Sequence, residues 1–282
     1  MKKFSTFGIF FISFMIIMSN TSFADSVLEE ILAAGEIVVA TDANYAPQSY
    51  LNDQGELEGF DISVAIEAGK RMGVKVRHVT PDWDLITAGK WGKRWDVSVG
   101  SMTPTKERKK ALWFSMTYYS SPAQFAIHKN NTSIKTVNDL AGKVIGMATE
   151  STYDRYLHRD LEMENVTVTY QNWNAKELRT YPTDANAIED LVLGDGARLD
   201  ALLTSLTVVL DAIRGGCGSG CPIKLIGKSP FYEVLSFALD KSRPNSESLL
   251  KKLNEAIQSM YDDGTLVNLS MKYFKADLIP KL

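Results

Sequence analysis

Apolar residues recur along this chain at two alternating periods, and this constrains the fold more than any other feature. Runs of period two, rich in β-branched residues, lie at residues 36–40, 74–79, 143–147, 166–170, 201–203 and 223–226. Between or after them come stretches with apolar residues at helical spacing, at 62–72, 185–193, 206–213 and 246–262, with a last short helix to about Phe274. Gly73 and Gly264 stand where helices end, as left-handed terminators do. Strands alternating with helices predict parallel sheets covered by helices, an α/β fold. In such sheets ligands sit at the carboxyl ends of strands, here the turns after Ala40, Val99, Met147 and Leu203.

The chain also echoes itself. Gly35-Glu-Ile-Val-Val-Ala-Thr-Asp42 is similar to Gly142-Lys-Val-Ile-Gly-Met-Ala-Thr-Glu150, and Asp96-Val-Ser-Val-Gly-Ser-Met-Thr103 to Asp200-Ala-Leu-Leu-Thr-Ser-Leu-Thr207. Two echoes in the same order predict two lobes of related design with a ligand cleft between them. The length points the same way, because it exceeds what a single core usually fills.

The first 24 residues read as a signal peptide: Lys2 and Lys3, an apolar stretch over 7–18 too short to span a membrane, then Ser22-Phe23-Ala24. The expected mature protein is soluble and exported. Losing Lys2 and Lys3 moves the formal charge from −3 to −5, which argues against a nucleic-acid partner. Cys217 and Cys221, in Cys-Gly-Ser-Gly-Cys, are expected to form a small disulfide in an oxidising compartment. The rival reading is a metal or redox pair, but none of the three histidines stands near them in sequence. No metal site and no cofactor are expected.

Residues 98–108, Ser-Val-Gly-Ser-Met-Thr-Pro-Thr-Lys-Glu-Arg, read as a strand handing over to a helix. Thr103 suits the N-cap and Pro104 the first helical position. Free amides there attract an anion, and Arg108 offers a planar fork for a carboxylate. Together they predict a socket for a small carboxylate-bearing molecule. Tyr45 and Trp83, in polar surroundings after strands, are candidate pocket walls, whereas Trp91, Trp95 and Trp113 are expected to pack structurally.

Several ordered motifs carry a resemblance across the mature chain. They are Ala40-Thr-Asp-Ala-Asn-Tyr-Ala-Pro47, Gly59-Phe-Asp-Ile62, Asp82-Trp83, Ser101-Met-Thr-Pro-Thr-Lys-Glu-Arg-Lys109, Phe114-Ser115 with Tyr118-Tyr119, and Asp263-Gly264-Thr265. The chain resembles the polar amino-acid-binding proteins of ABC importers, solute-binding protein family 3, including the lysine/arginine/ornithine and glutamine binders. The resemblance implies a two-lobed type II periplasmic binding protein, each lobe a mixed, mostly parallel sheet flanked by helices. Lobe 1 would hold residues 25–126 and 230–282, lobe 2 residues 127–229, with a two-strand hinge near 124–129 and 228–236. It implies a periplasmic monomer that binds by hinge closure and docks on a membrane permease.

Carried over residue by residue, the resemblance gives Arg108 the ligand α-carboxylate, helped by Thr103 and by Ser151 and Thr152 at a helix start. The Ser101 carbonyl would meet the α-ammonium, Tyr45 and Trp83 would sandwich the side chain, and Asp42 would pair with a distal cation. Two departures stand out. Glu150 replaces a customary glycine, and Ser205 stands where the family has an ammonium-holding aspartate. Either another carboxylate substitutes, with Glu150 and Glu233 nearest in sequence, or the ligand is not an ordinary α-amino acid. Residues 177–184 read as an insertion that reshapes the pocket rim. The expectation is a binder without catalytic residues. The alternative is a cyclohexadienyl dehydratase-like enzyme on the same scaffold, with Glu150 or Glu233 as proton donor.

Overall fold

A computed structural model describes residues 26–164, 166–216 and 220–281. The expected signal peptide and Cys217 lie outside the described residues. Ser26 opens the first helix with a reciprocal cap: its hydroxyl accepts from the Glu29 amide while the Glu29 carboxylate accepts from the Ser26 amide. That helix, α1 (Val27–Ala34), is followed by β1 (Glu36–Ala40), then by a small antiparallel sheet of β2 (Asn44–Tyr45), β3 (Ser49–Leu51) and β4 (Leu57–Glu58). Next come α2 (Phe60–Met72), β5 (Lys75–Val79), α3 (Trp83–Thr87), β6 (Val97–Met102) and α4 (Arg108–Ala111).

β7 (Leu112–His128) is 17 residues long and belongs to both lobes. Beyond it lie β8 (Val144–Ala148), α5 (Thr152–Leu157), β9 (Glu177–Tyr181), α6 (Asp184–Val192), β10 (Ala201–Ser205), α7 (Leu206–Asp211) and β11 (Ile223–Ile226). The chain returns through β12 (Tyr232–Asp240) and ends with α8 (Glu247–Asp262) and α9 (Thr265–Phe274).

The strand order is β5-β1-β6-β12-β7-β10-β8-β9, with β11 also on β7. Pairings of β1 with β5 and β6, and of β8 with β9 and β10, are parallel; the crossover strands pair antiparallel. β7 pairs with β12 as far as Pro122 opposite Tyr232, then with β10 from Ala123 opposite Ser205. The change of partner thus falls between Pro122 and Ala123, ahead of the expected division at 126/127. Phe125 already packs in the second lobe's core, with Ile127, Ile145, Met147 and Leu203. The first lobe's core gathers Phe60, Val64, Val97, Tyr118, Phe237 and Leu253.

Three expectations need correction. Residues 166–170 form no strand; Val166 makes only an isolated bridge to Met163. Residues 177–181, read as an insertion, are the edge strand β9, in register with β8 from Val144 opposite Glu177. Trp113 is 43% exposed, with the Lys241 ammonium 4.2 Å above its ring, whereas Trp91 and Trp95 are buried against each other.

Gly59 shows why a motif glycine is fixed. Its φ is +135°, and a Cβ there would lie 2.2 Å from the Gln48 carbonyl oxygen. Only glycine lets α2 start so close to β3.

Candidate functional site

The lobes meet over a narrow cavity at the carboxyl ends of β1, β6 and β8. Eight of the ten expected site residues line it: Asp42, Tyr45, Trp83, Ser101, Arg108, Ser151, Thr152 and Glu233. Thr103 stands just behind, its hydroxyl donating to Glu233 Oε1 at 3.0 Å and its carbonyl accepting from Arg108 Nη1 at 3.1 Å.

Thr103 and Pro104 do not begin a helix. The helix starts at Arg108, whose amide donates to the Thr105 hydroxyl at 3.1 Å. The segment up to Thr105 does not open the helix because it is tied to the opposite lobe. Thr105 bridges Met163, and the Lys106 amide donates to the Glu162 carbonyl at 2.9 Å. Thr105, not Thr103, takes the capping place, its carbonyl accepting from the Lys109 amide at 3.0 Å.

Arg108 is 8% exposed. Its Nη2 donates to the Glu150 carbonyl at 2.8 Å, across the cleft, and its Cζ lies 5.3 Å from the Trp83 ring centre. The Trp83 indole N–H shares that carbonyl at 3.4 Å. Burial pushes the guanidinium pKa down to about 10, against the pull of Glu233, so it stays cationic at neutral pH. Glu150, in the left-handed region at φ +52°, contributes its carbonyl. Its carboxylate turns away to Arg155 at 2.9 Å and does not substitute for the missing aspartate.

Ser205 is not on the cavity. It is 1% exposed, its hydroxyl 2.7 Å from Ser121 Oγ and 2.8 Å from Thr207 Oγ1. The antiparallel register of β10 on β7 turns it toward the crossover instead. Glu233, on β12 opposite Ser121, does face the cavity. It accepts from Thr103, from Thr152, and from Tyr153 Oη at 2.7 Å. Tyr153 also meets Tyr45 across the cleft, oxygen to oxygen at 3.4 Å.

Asp184, at the start of α6, was missed by sequence reasoning, which saw only a segment of altered length. It lines the cavity with Pro182 and Thr183. Burial, then the nearby Asp42 and Glu233 carboxylates, push its pKa up to about 7, only partly eased by Thr204. Burial also raises Asp42 and Glu233 above the usual carboxylate range. The charged groups on the wall are therefore three carboxylates and one guanidinium. Among the described residues no group of three acids, histidines or cysteines is placed to hold a metal ion.

Behind the wall lies a buried network. Asp61 accepts from Tyr118 Oη at 2.6 Å and from Ser101 Oγ at 2.7 Å, and Ser101 Oγ lies 2.6 Å from Tyr119 Oη. It holds Ser101 at φ +53°, a conformation that few non-glycine residues adopt unsupported. Tyr118→Phe would leave Asp61 Oδ1 without its donor. We expect a loss of about 1–3 kcal/mol of stability in urea unfolding, with the fold retained. Cys221 is disulfide-bonded.

A two-lobed α/β chain with a buried guanidinium facing carboxylates across a cleft is a solute-binding protein. The family described as bacterial extracellular solute-binding proteins, family 3, matches residues 37–276, and the chain belongs to it. The L-cystine-binding protein TcyJ of Escherichia coli (strain K12) is 32% identical over 273 residues, covering 96% of this chain and 95% of that one. The ABC transporter arginine-binding protein 1 of Escherichia coli (strain K12) is 28% identical over 243 residues, covering 86% and 92%. Among solved structures, the ancestral amino acid-binding protein AncCDT-1, a precursor of cyclohexadienyl dehydratase, superposes with a TM-score of 0.74 at 30% identity, covering 88% of this chain and all of that one. The family and these relatives make the chain a binder rather than an enzyme.

Proposed function

We propose that this chain is the substrate-binding component of an ABC amino-acid importer and that its ligand is a basic amino acid. The observation that carries this reading is the charge of the wall: Arg108 alone is cationic there, against Asp42, Asp184 and Glu233. A ligand with one carboxylate and two cationic groups complements that set. Its carboxylate takes the Arg108 fork, close to Ser151 and Thr152; its side chain lies between Tyr45 and Trp83; its distal cation reaches Asp42. L-cystine, the ligand in TcyJ's name, has two carboxylates and would leave one facing acids. Arginine, the ligand in the other relative's name, has one.

Binding proceeds by closure. The ligand first meets one lobe, the strands near Pro122 and Tyr232 then bend, and the second lobe covers it. Burial in a dry cleft strengthens every charge contact there. The protein acts as a periplasmic monomer, exported by its amino-terminal 24 residues, and presents its joined lobes to the permease. A dehydratase acting on prephenate has nothing to support it in this cavity, since a dicarboxylate would be repelled by three acids.

Calorimetric titration at pH 8 with arginine, lysine, ornithine, glutamine, cystine and prephenate tests the reading. We expect the three basic amino acids to bind at least tenfold more tightly than glutamine, and prephenate not at all. Tighter binding of cystine, or no binding of any amino acid, overturns it.

A further inference from the structure

An amino acid entering this cavity must place its α-ammonium against some carboxylate, and the strand-end position offers none. Ser205 is neutral, buried and engaged with Ser121 and Thr207. Glu150 points its carboxylate at Arg155. Glu233 reaches the cavity, yet three hydroxyl donors, from Thr103, Thr152 and Tyr153, already occupy its two oxygens. Those donors come from both sides of the cleft, so Glu233 ties the lobes together.

Asp184 differs. It is only 6% exposed, it lines the cavity, and its buried Oδ1 makes no hydrogen bond of normal geometry. The nearby Thr204 hydroxyl is likewise buried and makes no hydrogen bond of normal geometry. A buried carboxylate oxygen without a donor costs free energy, and a cationic donor in the cavity removes that cost.

The local structure explains its aim. β9 runs parallel to β8 and delivers Pro182, Thr183 and Asp184 to the carboxyl end of the second lobe's sheet. Thr183 caps α6, its hydroxyl accepting from the Asn186 amide at 3.2 Å. Asp184 is therefore the first helical residue, where the helix's positive end favours a negative side chain.

We propose that Asp184 is the specificity-determining residue that holds the ligand α-ammonium, in place of the aspartate absent at position 205. This rests on the reading that the ligand is an amino acid. The anionic contact has moved from the end of β10 to the start of α6, within the same lobe. Closure therefore still brings an acid from the second lobe to a ligand anchored on Arg108 of the first.

The test compares arginine with its des-amino analogue, 5-guanidinopentanoate, by calorimetry at pH 8. Wild-type protein is expected to prefer arginine by at least a hundredfold. In Asp184→Asn, and in Asp184→Ser as a second variant, arginine affinity is expected to fall until the two ligands bind within about fivefold of each other. Melting curves establish that each variant is folded. If either folded Asp184 variant keeps the wild-type preference, the assignment is overturned while the amino-acid reading stands. If wild-type protein binds no amino acid, both fail.

Discussion

Arg108→Ala is expected to weaken binding of the basic amino acid by two to three orders of magnitude, about 3–5 kcal/mol. The size follows from what remains. A buried carboxylate that loses its only cationic partner keeps its desolvation cost and forfeits two charge-assisted hydrogen bonds. The variant also loses the bond from Nη2 to the Glu150 carbonyl, which spans the cleft, so the closed form is weakened as well. Arg108→Lys separates the two contributions. It keeps the charge and loses the fork and its packing over Trp83, and we expect it to fall between wild type and alanine. Calorimetry with arginine reads both. Full affinity in the alanine variant would overturn the carboxylate anchor.

Stability of the ligand-free protein should fall as pH rises from about 4 to 8. Burial pushes two carboxyls, Asp61 and Asp184, up to about 7. The unfolded chain releases these protons near the ordinary value of 3.8, while the folded protein keeps them until about 7. Between those limits the native state binds more protons, so its advantage is complete below the lower limit and lost as pH passes the upper one. Each carboxyl therefore stabilises the folded state at pH 5 more than at pH 8. Urea unfolding of Asp61→Asn and Asp184→Asn at pH 5 and pH 8 tests this. Each variant should narrow the difference between the two pH values, and an unchanged difference in both would refute it. Ligand should act in the opposite sense near Asp184, since a bound cation favours the ionised carboxylate and its stabilising effect should grow with pH.

The α/β alternation was legible in residues 36–40, 62–72, 201–203, 223–226 and 246–262, because burial on one face leaves a periodic mark in the sequence. Arg108, Tyr45 and Trp83 were legible for a different reason. They belong to contiguous motifs whose residue types already suit a carboxylate and a side chain. The start of α4 was misplaced, since Thr103 is a good cap by type and only the contacts of the next residues with the opposite lobe show that the cap falls to Thr105. Ser205 was placed at the site by the family resemblance, and only the register of β10 on β7 turned it away.

Asp184 left no signal of its own. It sits in a segment whose chain direction is fixed by β9 pairing with β8, a contact between residues more than thirty positions apart. Sequence alone determined the layered fold, the two-lobe design and a guanidinium at the cleft, because these depend on local periodicity and on residue type. The tertiary structure decided which carboxylates share the anchor's cavity. Charge pairing there depends on distances across the cleft, and those are set by strand register and lobe contact rather than by neighbours along the chain.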